Sequence, residues 1–126
     1  MQSVIPTLRV TNYEQSKRFY TQGLKFNIDW EHRFEPGLPV FCQISRDSRV
    51  LYLSEHRGDC QPGGLVYLFV TDVETWYREL SDSLPPVRAG LSRLQGPPEE
   101  GIPGLRSMTV FDPVGNQLRI CTWVKG

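Results

Sequence analysis

The 126-residue chain has no excess of charge, few histidines and no cysteine framework, and each lack excludes something. Fourteen acidic against fourteen basic side chains leave no net charge, so a general electrostatic hold on nucleic acid is not expected. Cys42, Cys60 and Cys121 are odd in number and lack paired spacing, which argues against a zinc knuckle or a disulfide scaffold. No apolar run approaches the roughly 20 residues that span a bilayer, and the start, "MQSVIPTLRV", has no basic stretch leading into an apolar one. The expectation is a cytoplasmic protein without membrane contact. Missing too are a G-x-S-x-G elbow, a phosphate-binding glycine loop, a Cys-x-x-Cys pair and a carboxylate pair spaced for acid/base work.

What is present begins with an echo. "LRVTNYE" at 8–14 returns as "LFVTDVE" at 68–74, and Leu24 and Leu84 keep the same sixty-residue offset. In the first copy Leu8 and Val10 alternate with polar neighbours as in a strand; Asn12 then has the form of a helix N-cap, with Gln15 three residues on as its reciprocal partner. Tyr13, Ser16, Phe19, Tyr20 and Leu24 fall near helical spacing, and Gly23 supplies the stop. Strands are predicted at 26–32, 39–45 and 49–55, the last two joined by the polar turn "RDSR".

"HRGDCQPGG" has the composition of a linker, and the same grammar then restarts. "LVYLFVT" reads as a strand and Asp72 as a cap, while Val73, Trp76, Tyr77, Leu80 and Leu84 form one apolar stripe that "LPP" ends. A weaker strand near 87–94, a loop at 95–104, and two strands joined by "DPVGN" complete the second copy. The prediction is an α+β fold of two paired βαβββ modules: module one about 1–56, linker about 57–64, module two about 65–126. The two would form a curved mixed sheet with helices on the outer face and a concave cavity, because neither half alone covers both faces of its strands.

Period two then sorts the strand residues. Leu8, Val10, Val66, Leu68, Val70, Leu118 and Ile120 are expected to face the helices. Arg9, Tyr52, Leu65, Tyr67, Phe69, Arg119, Cys121 and Trp123 are expected on the opposite side, an aromatic face holding two arginines. Such a face lines a pocket, packs as core or is covered by a partner.

The paired units, the start "IPTLRVTNYEQSKRFYTQGLKF" and "DPVGN" near the end resemble the vicinal-oxygen-chelate superfamily of glyoxalase I, extradiol dioxygenases and bleomycin-resistance proteins over almost the whole chain. Ile5-Pro6-Thr7-Leu8, Ser16 and Phe19-Tyr20 are most similar to the bleomycin-resistance branch. In the superfamily's metal enzymes four inward positions carry His, Gln or Glu; the resemblance places them here at Ile5, Tyr52, Leu65 and Arg119. Two of these have no lone pair, Tyr is a poor ligand at its ordinary pKa, and Arg puts a cation where the ion would sit. No metal and no cofactor is therefore expected, and no catalytic residue is assigned. His32 and His56 fall at none of the four positions and read as surface histidines.

The resemblance implies a homodimer with an exchanged N-terminal strand, sequestering an antibiotic or an aromatic or anionic metabolite at its interface. Ligand-binding candidates are Arg9, Phe34, Phe41, Tyr52, Tyr67, Phe69, Arg119 and Trp123, with Trp30 less secure. Two departures count against bleomycin itself. The chain is neutral where the resistance proteins are acidic, and Gly104 stands where their stacking tryptophan is expected. Arg9 and Arg119 instead favour an anionic ligand. The alternative is an enzyme of the same superfamily: a metal-dependent lyase, isomerase or dioxygenase, or a metal-free variant using Tyr52 or Tyr67 for proton transfer.

Overall fold

The computed structural model describes residues 2–84 and 93–124. The chain divides into two compact units, Met1–Gly64 with Pro113–Asn116 and Leu65–Asp112 with Gln117–Gly126. In the first unit the order is β1 (Thr7–Arg9), α1 (Tyr13–Arg18) continued by a π-helical turn (Phe19–Gly23), β2 (Asn27–His32), β3 (Phe41–Arg46) and β4 (Arg49–Ser54). In the second it is β5 (Leu65–Phe69), α2 (Val73–Ser83), β6 (Leu94–Ile102), β7 (Leu105–Phe111) and β8 (Gln117–Trp123). Each unit holds one four-stranded mixed sheet, ordered β1-β4-β3-β2 and β5-β8-β7-β6. The orders are identical once the second is shifted by four strands, so the sequence echo marks equivalent places in two copies of one βαβββ unit. The fold is α+β, as the sequence predicts. No helix among the described residues is long and apolar enough to cross a membrane.

Local chemistry explains where the helices start. Asn12 is extended (φ −136°) and its side chain accepts the Gln15 N–H at 3.2 Å. Asp72, at φ −143°, accepts from the Glu74 N–H at 3.0 Å and the Thr75 hydroxyl at 2.8 Å. A second acceptor closes each first turn: the Tyr13 N–H donates to Glu55, and the Val73 N–H to the Thr122 hydroxyl. The four N-terminal N–H groups of a helix have no partner within it, so both devices remove part of a fixed cost.

The first helix ends at Gly23, as predicted, but it reaches that end through a π turn rather than in α geometry. Leu24 caps that turn by donating to the Phe19 carbonyl at 3.0 Å, and the left-handed residue of the reversal is Lys25, at φ 62°. The β3–β4 turn also uses left-handed residues, Asp47 (φ 51°) and Ser48 (φ 67°), which suits a two-residue hairpin to the twist of its strands.

The predicted loop at 95–104 is corrected. Most of it is strand β6, paired with β7 and lying at a sheet edge. Pro97 and Pro98 fall where the register shifts between Gln95 and Glu99, so their missing N–H groups interrupt no pairing. The weaker strand expected near 87–94 lies outside the described residues as far as residue 92.

The face assignment holds for most positions. Leu8, Val10, Leu68, Val70, Leu118 and Ile120 are buried, and Val66 partly so. In the first unit they join Tyr20, Leu24, Ile44, Leu51 and Leu53, none more than 1 % exposed. Leu65, Tyr67, Phe69 and Trp123 are exposed, at 42 to 60 %. Cys121 is the exception on that side: it is fully buried, a short side chain opposite Phe69 and two residues from Trp123. Its thiol lies against the Leu68 and Arg119 carbonyls.

Candidate functional site

Strand pairing in the first unit puts Trp30 across from Gln43 and His32 across from Phe41, while Gln43 in turn faces Tyr52. All five side chains therefore share the face turned away from the buried Cys42, Ile44 and Leu53. A bulge between Ile28 and Trp30 makes this possible. It inserts Asp29 into the ladder and brings Trp30, which simple alternation from Ile28 would also have turned to the core, onto the open face. Asp29 itself accepts hydrogen bonds from Gln43 (3.0 Å) and the Ser45 hydroxyl (2.9 Å) on β3.

The rings gather into two adjoining groups. Trp30 stacks on Phe41 with centroids 6.0 Å apart and 21° between planes, and Tyr52 leans on both, 5.8 Å from Trp30 and 4.9 Å from Phe41. Phe34 makes T-shaped contacts with two imidazoles, His32 at 4.7 Å and His56 at 6.1 Å. Together Trp30, His32, Phe34, Phe41, His56 and Asp59 line an open cleft of about 470 Å³. That is the size of a small-molecule site, and the wall is mostly apolar with a few polar groups at fixed places. Asp59 is anchored by the Ser54 hydroxyl at 2.6 Å, and the same oxygen accepts the His56 backbone N–H at 3.1 Å.

Of the predicted ligand-binding residues the cleft thus collects Phe34 and Phe41, with Tyr52 behind them and Trp30 in the wall. His32, His56 and Asp59 were missed as lining residues. The signal was available for one of them: in "WEH" the histidine is two residues from Trp30 and so on its face. His56 and Asp59 lie in the turn after β4, which has no period to read.

The remaining candidates sit elsewhere. Arg9 donates to the Val10 carbonyl at 3.2 Å and to the Cys60 carbonyl at 3.4 Å. In the second unit Tyr67 and Arg119 are register partners, and the guanidinium donates to the Tyr67 hydroxyl at 3.0 Å and to the Thr109 hydroxyl at 3.3 Å. Phe69 and Trp123 stack at 5.9 Å with 24° between their planes. This face is apolar and open, with one cation pinned in it.

The positions where the sequence resemblance places metal ligands do not suit a divalent ion. Ile5 precedes β1 and Leu65 opens β5, both without a donor atom. Tyr52 is committed to the ring cluster, and Arg119 presents a cation held by Tyr67 and Thr109. Among the described residues no three His, Cys, Asp or Glu side chains are grouped to hold a metal ion.

No thiol is poised as a nucleophile either. Burial raises the Cys42 thiol to a pKa of about 11. Burial, and then the Asp59 carboxylate, push Cys60 upward from its ordinary value, and burial does the same to Cys121.

Comparison with known proteins agrees with this architecture. Solved structures with the same fold include a bleomycin-binding protein complexed with bleomycin, 22 % identical, covering 97 % of this chain and 98 % of the other with a TM-score of 0.75. A bleomycin-binding protein from Streptomyces verticillus complexed with copper(II)-bleomycin is 23 % identical over 100 % of this chain and 97 % of the other, with a TM-score of 0.71. An antibiotic binding protein from Streptomyces sp. CB03234 is 19 % identical over 98 % and 99 %, with a TM-score of 0.72. Among curated proteins no sequence match is found. The family model described as glyoxalase superfamily protein matches residues 1–126, and the chain belongs to that superfamily.

Proposed function

We propose that this protein is a metal-free small-molecule binding protein that sequesters an aromatic ligand, an antibiotic or a metabolite, without changing it. The observation that carries the reading is the cleft of Trp30, Phe34 and Phe41, an aromatic slot of about 470 Å³. Stacking of a planar ligand on such rings contributes about 0.5–1.5 kcal/mol per pair beyond the apolar area removed from water. Support also comes from the chemistry of other residues: Ile5, Tyr52, Leu65 and Arg119 at the expected metal positions offer no ligand set, and the three thiols are all shifted away from reactivity. Relatives of the same fold bind bleomycin and other antibiotics. Arg9, Tyr67, Phe69, Arg119 and Trp123 remain candidates for ligand contact within this reading.

The reading includes a homodimer. Leu65, Tyr67, Phe69 and Trp123 leave a row of large apolar side chains at 42 to 60 % exposure, which a second copy would cover. The exchanged N-terminal strand would make the pairing of Thr7, Leu8 and Arg9 with Tyr52, Leu53 and Ser54 intermolecular. A cytoplasmic location is part of the proposal, supported by three free cysteines, which suit a reducing compartment.

The test is a fluorescence titration with a panel of bleomycin, glutathione conjugates and aromatic acids, reading quenching of the tryptophan emission that Trp30→Phe removes. The expected result is saturable binding that Phe41→Ala weakens about tenfold, with loss of a stacking partner as the cause, and ligand recovered chemically unchanged after incubation. A panel that leaves the fluorescence flat, or a bound compound that is converted, would overturn the reading.

A further inference from the structure

Anion recognition by Arg9 and Arg119 is the natural expectation from sequence, yet both guanidiniums already have neutral oxygen partners: Arg9 the Val10 and Cys60 carbonyls, Arg119 the Tyr67 and Thr109 hydroxyls. The aromatic cleft holds a different pair of basic groups. His32 from β2 and His56 from the turn after β4 both make T-shaped contacts with Phe34, at interplanar angles of 86° and 79°. Both imidazoles line the cleft, and the one carboxylate lining it is Asp59.

We infer that His32 and His56 are the charge-selecting residues of this cleft, admitting an aromatic ligand that carries an anionic group when they are protonated. The inference rests on the cleft being the binding site. Its physical basis is a change of sign. With neutral imidazoles the lining carries the single negative charge of Asp59; with both protonated it carries one net positive charge. Histidine alone among unperturbed side chains makes that change between about pH 5 and pH 8.

Glu35 and Arg57, one of each sign, neighbour Phe34 and His56 in the chain, and other charged groups nearby have partners. Asp29 on β2 accepts from Gln43 and Ser45, and Arg9 on β1 donates to carbonyls. Arg33 and Glu55 approach to 3.9 Å, and Glu55 also takes the Tyr13 and Val40 N–H groups. Asp59 accepts from the Ser54 hydroxyl and lines the same cleft as the histidines. The cleft therefore discriminates against anions at alkaline pH and favours them in mild acid.

Two fluorescent probes of nearly the same shape test this. 8-Anilinonaphthalene-1-sulfonate carries a fixed negative charge, and N-phenyl-1-naphthylamine is neutral across the range. Between about pH 8 and about pH 5.5 the expected result is an increase on the order of tenfold in affinity for the sulfonate with less than about twofold change for the neutral probe. The double variant His32→Asn/His56→Asn is expected to remove the difference between the probes' pH profiles, and Phe34→Ala to weaken both probes. Parallel profiles in the wild type, or a double variant that keeps the sulfonate's pH dependence, would overturn the inference while leaving the cleft as a binding site. Failure of both probes to bind at any pH, or binding indifferent to Phe34→Ala, would remove the cleft as the site and the inference with it.

Discussion

Asn116, the last residue of the "DPVGN" turn, is buried completely and uses both ends of its amide. Its oxygen accepts the N–H groups of Gly63 and Gly64 at 2.9 Å each, and its nitrogen donates to the Arg9 carbonyl at 2.8 Å. Gly63 sits at φ +94°, a conformation that a side chain would strain, so the turn at the end of the linker needs both the glycine and its acceptor. An amide is the group that fits, because a carboxylate in the same place would present an acceptor to the Arg9 carbonyl and repel it. Asn116→Asp and Asn116→Ala are both expected to lower stability by about 2–4 kcal/mol, since buried donors and acceptors left unpaired cost roughly 1–3 kcal/mol each. Urea denaturation measures this, and a loss under about 0.5 kcal/mol for Asn116→Ala would show that the three bonds are replaced by solvent.

Among the elements, α1 is tied to β2 through one carboxylate. Glu31 accepts from the Tyr13 hydroxyl and lies 3.0 Å from the Lys17 ammonium, two side chains one helical turn apart. The Tyr13 and Lys17 bonds hold the Glu31 carboxyl below its ordinary value; burial, then Glu31, push Tyr13 upward, and the Glu31 bond raises Lys17. A lowered carboxylate stabilises the fold above its unfolded pKa of 4.5 and loses that contribution as pH falls through the folded value. A raised lysine stabilises below its unfolded 10.5 and loses it as pH climbs through the folded value. Both partners of the ion pair are about 38 % exposed, so solvent screening limits it to roughly 1 kcal/mol or less. Glu31→Gln is therefore expected to cost about that much near neutrality, with the thermal stabilities of variant and wild type converging in acid as the wild-type carboxylate is protonated. A difference that persists unchanged into acid would assign the cost to packing. The same scale shows what the sequence could and could not say. Both N-caps were legible because Asn12 and Asp72 are specific to that position, and the strands because alternation leaves a period. The π turn was not, because a one-residue widening leaves the same apolar residues near the same stripe; the stop at Gly23 was legible, but the positive φ that follows it falls on Lys25, which has no special preference for it. Strand β6 was hidden by prolines that only an edge strand with a register shift tolerates. The bulge at Asp29 concealed the cleft in the same way, since strict alternation through "NIDWEH" cannot set both Ile28 inward and Trp30 outward.

At the scale of the whole molecule, two copies of one unit keep their cores and diverge on their open faces. The sixty-residue offset that pairs Leu8 with Leu68 and Val10 with Val70, all buried, also pairs Arg9 with Phe69. In the first unit the open face became the cleft, with rings edge-on to histidines and polar groups at fixed places. In the second it became a flatter apolar row, Phe69 stacked on Trp123 and Tyr67 beneath Arg119, without a carboxylate among them. On the proposed reading the two faces take different tasks, a small ligand for the first and a second copy of the chain for the second. A stable interface removes about 800 Å² from each partner, and large aromatic side chains contribute most of its energy. Placing charge in the row is the direct test. Phe69→Lys and Trp123→Lys are each expected to convert a micromolar dimer into a monomer by light scattering after gel filtration, because an unpaired ammonium would have to be desolvated at the interface centre. The first-unit variants Phe34→Ala and Phe41→Ala are expected to leave the dimer intact. A wild-type chain that is already monomeric at that concentration would remove the second face as a self-association surface and leave the cleft of the first unit to be judged by its own titrations.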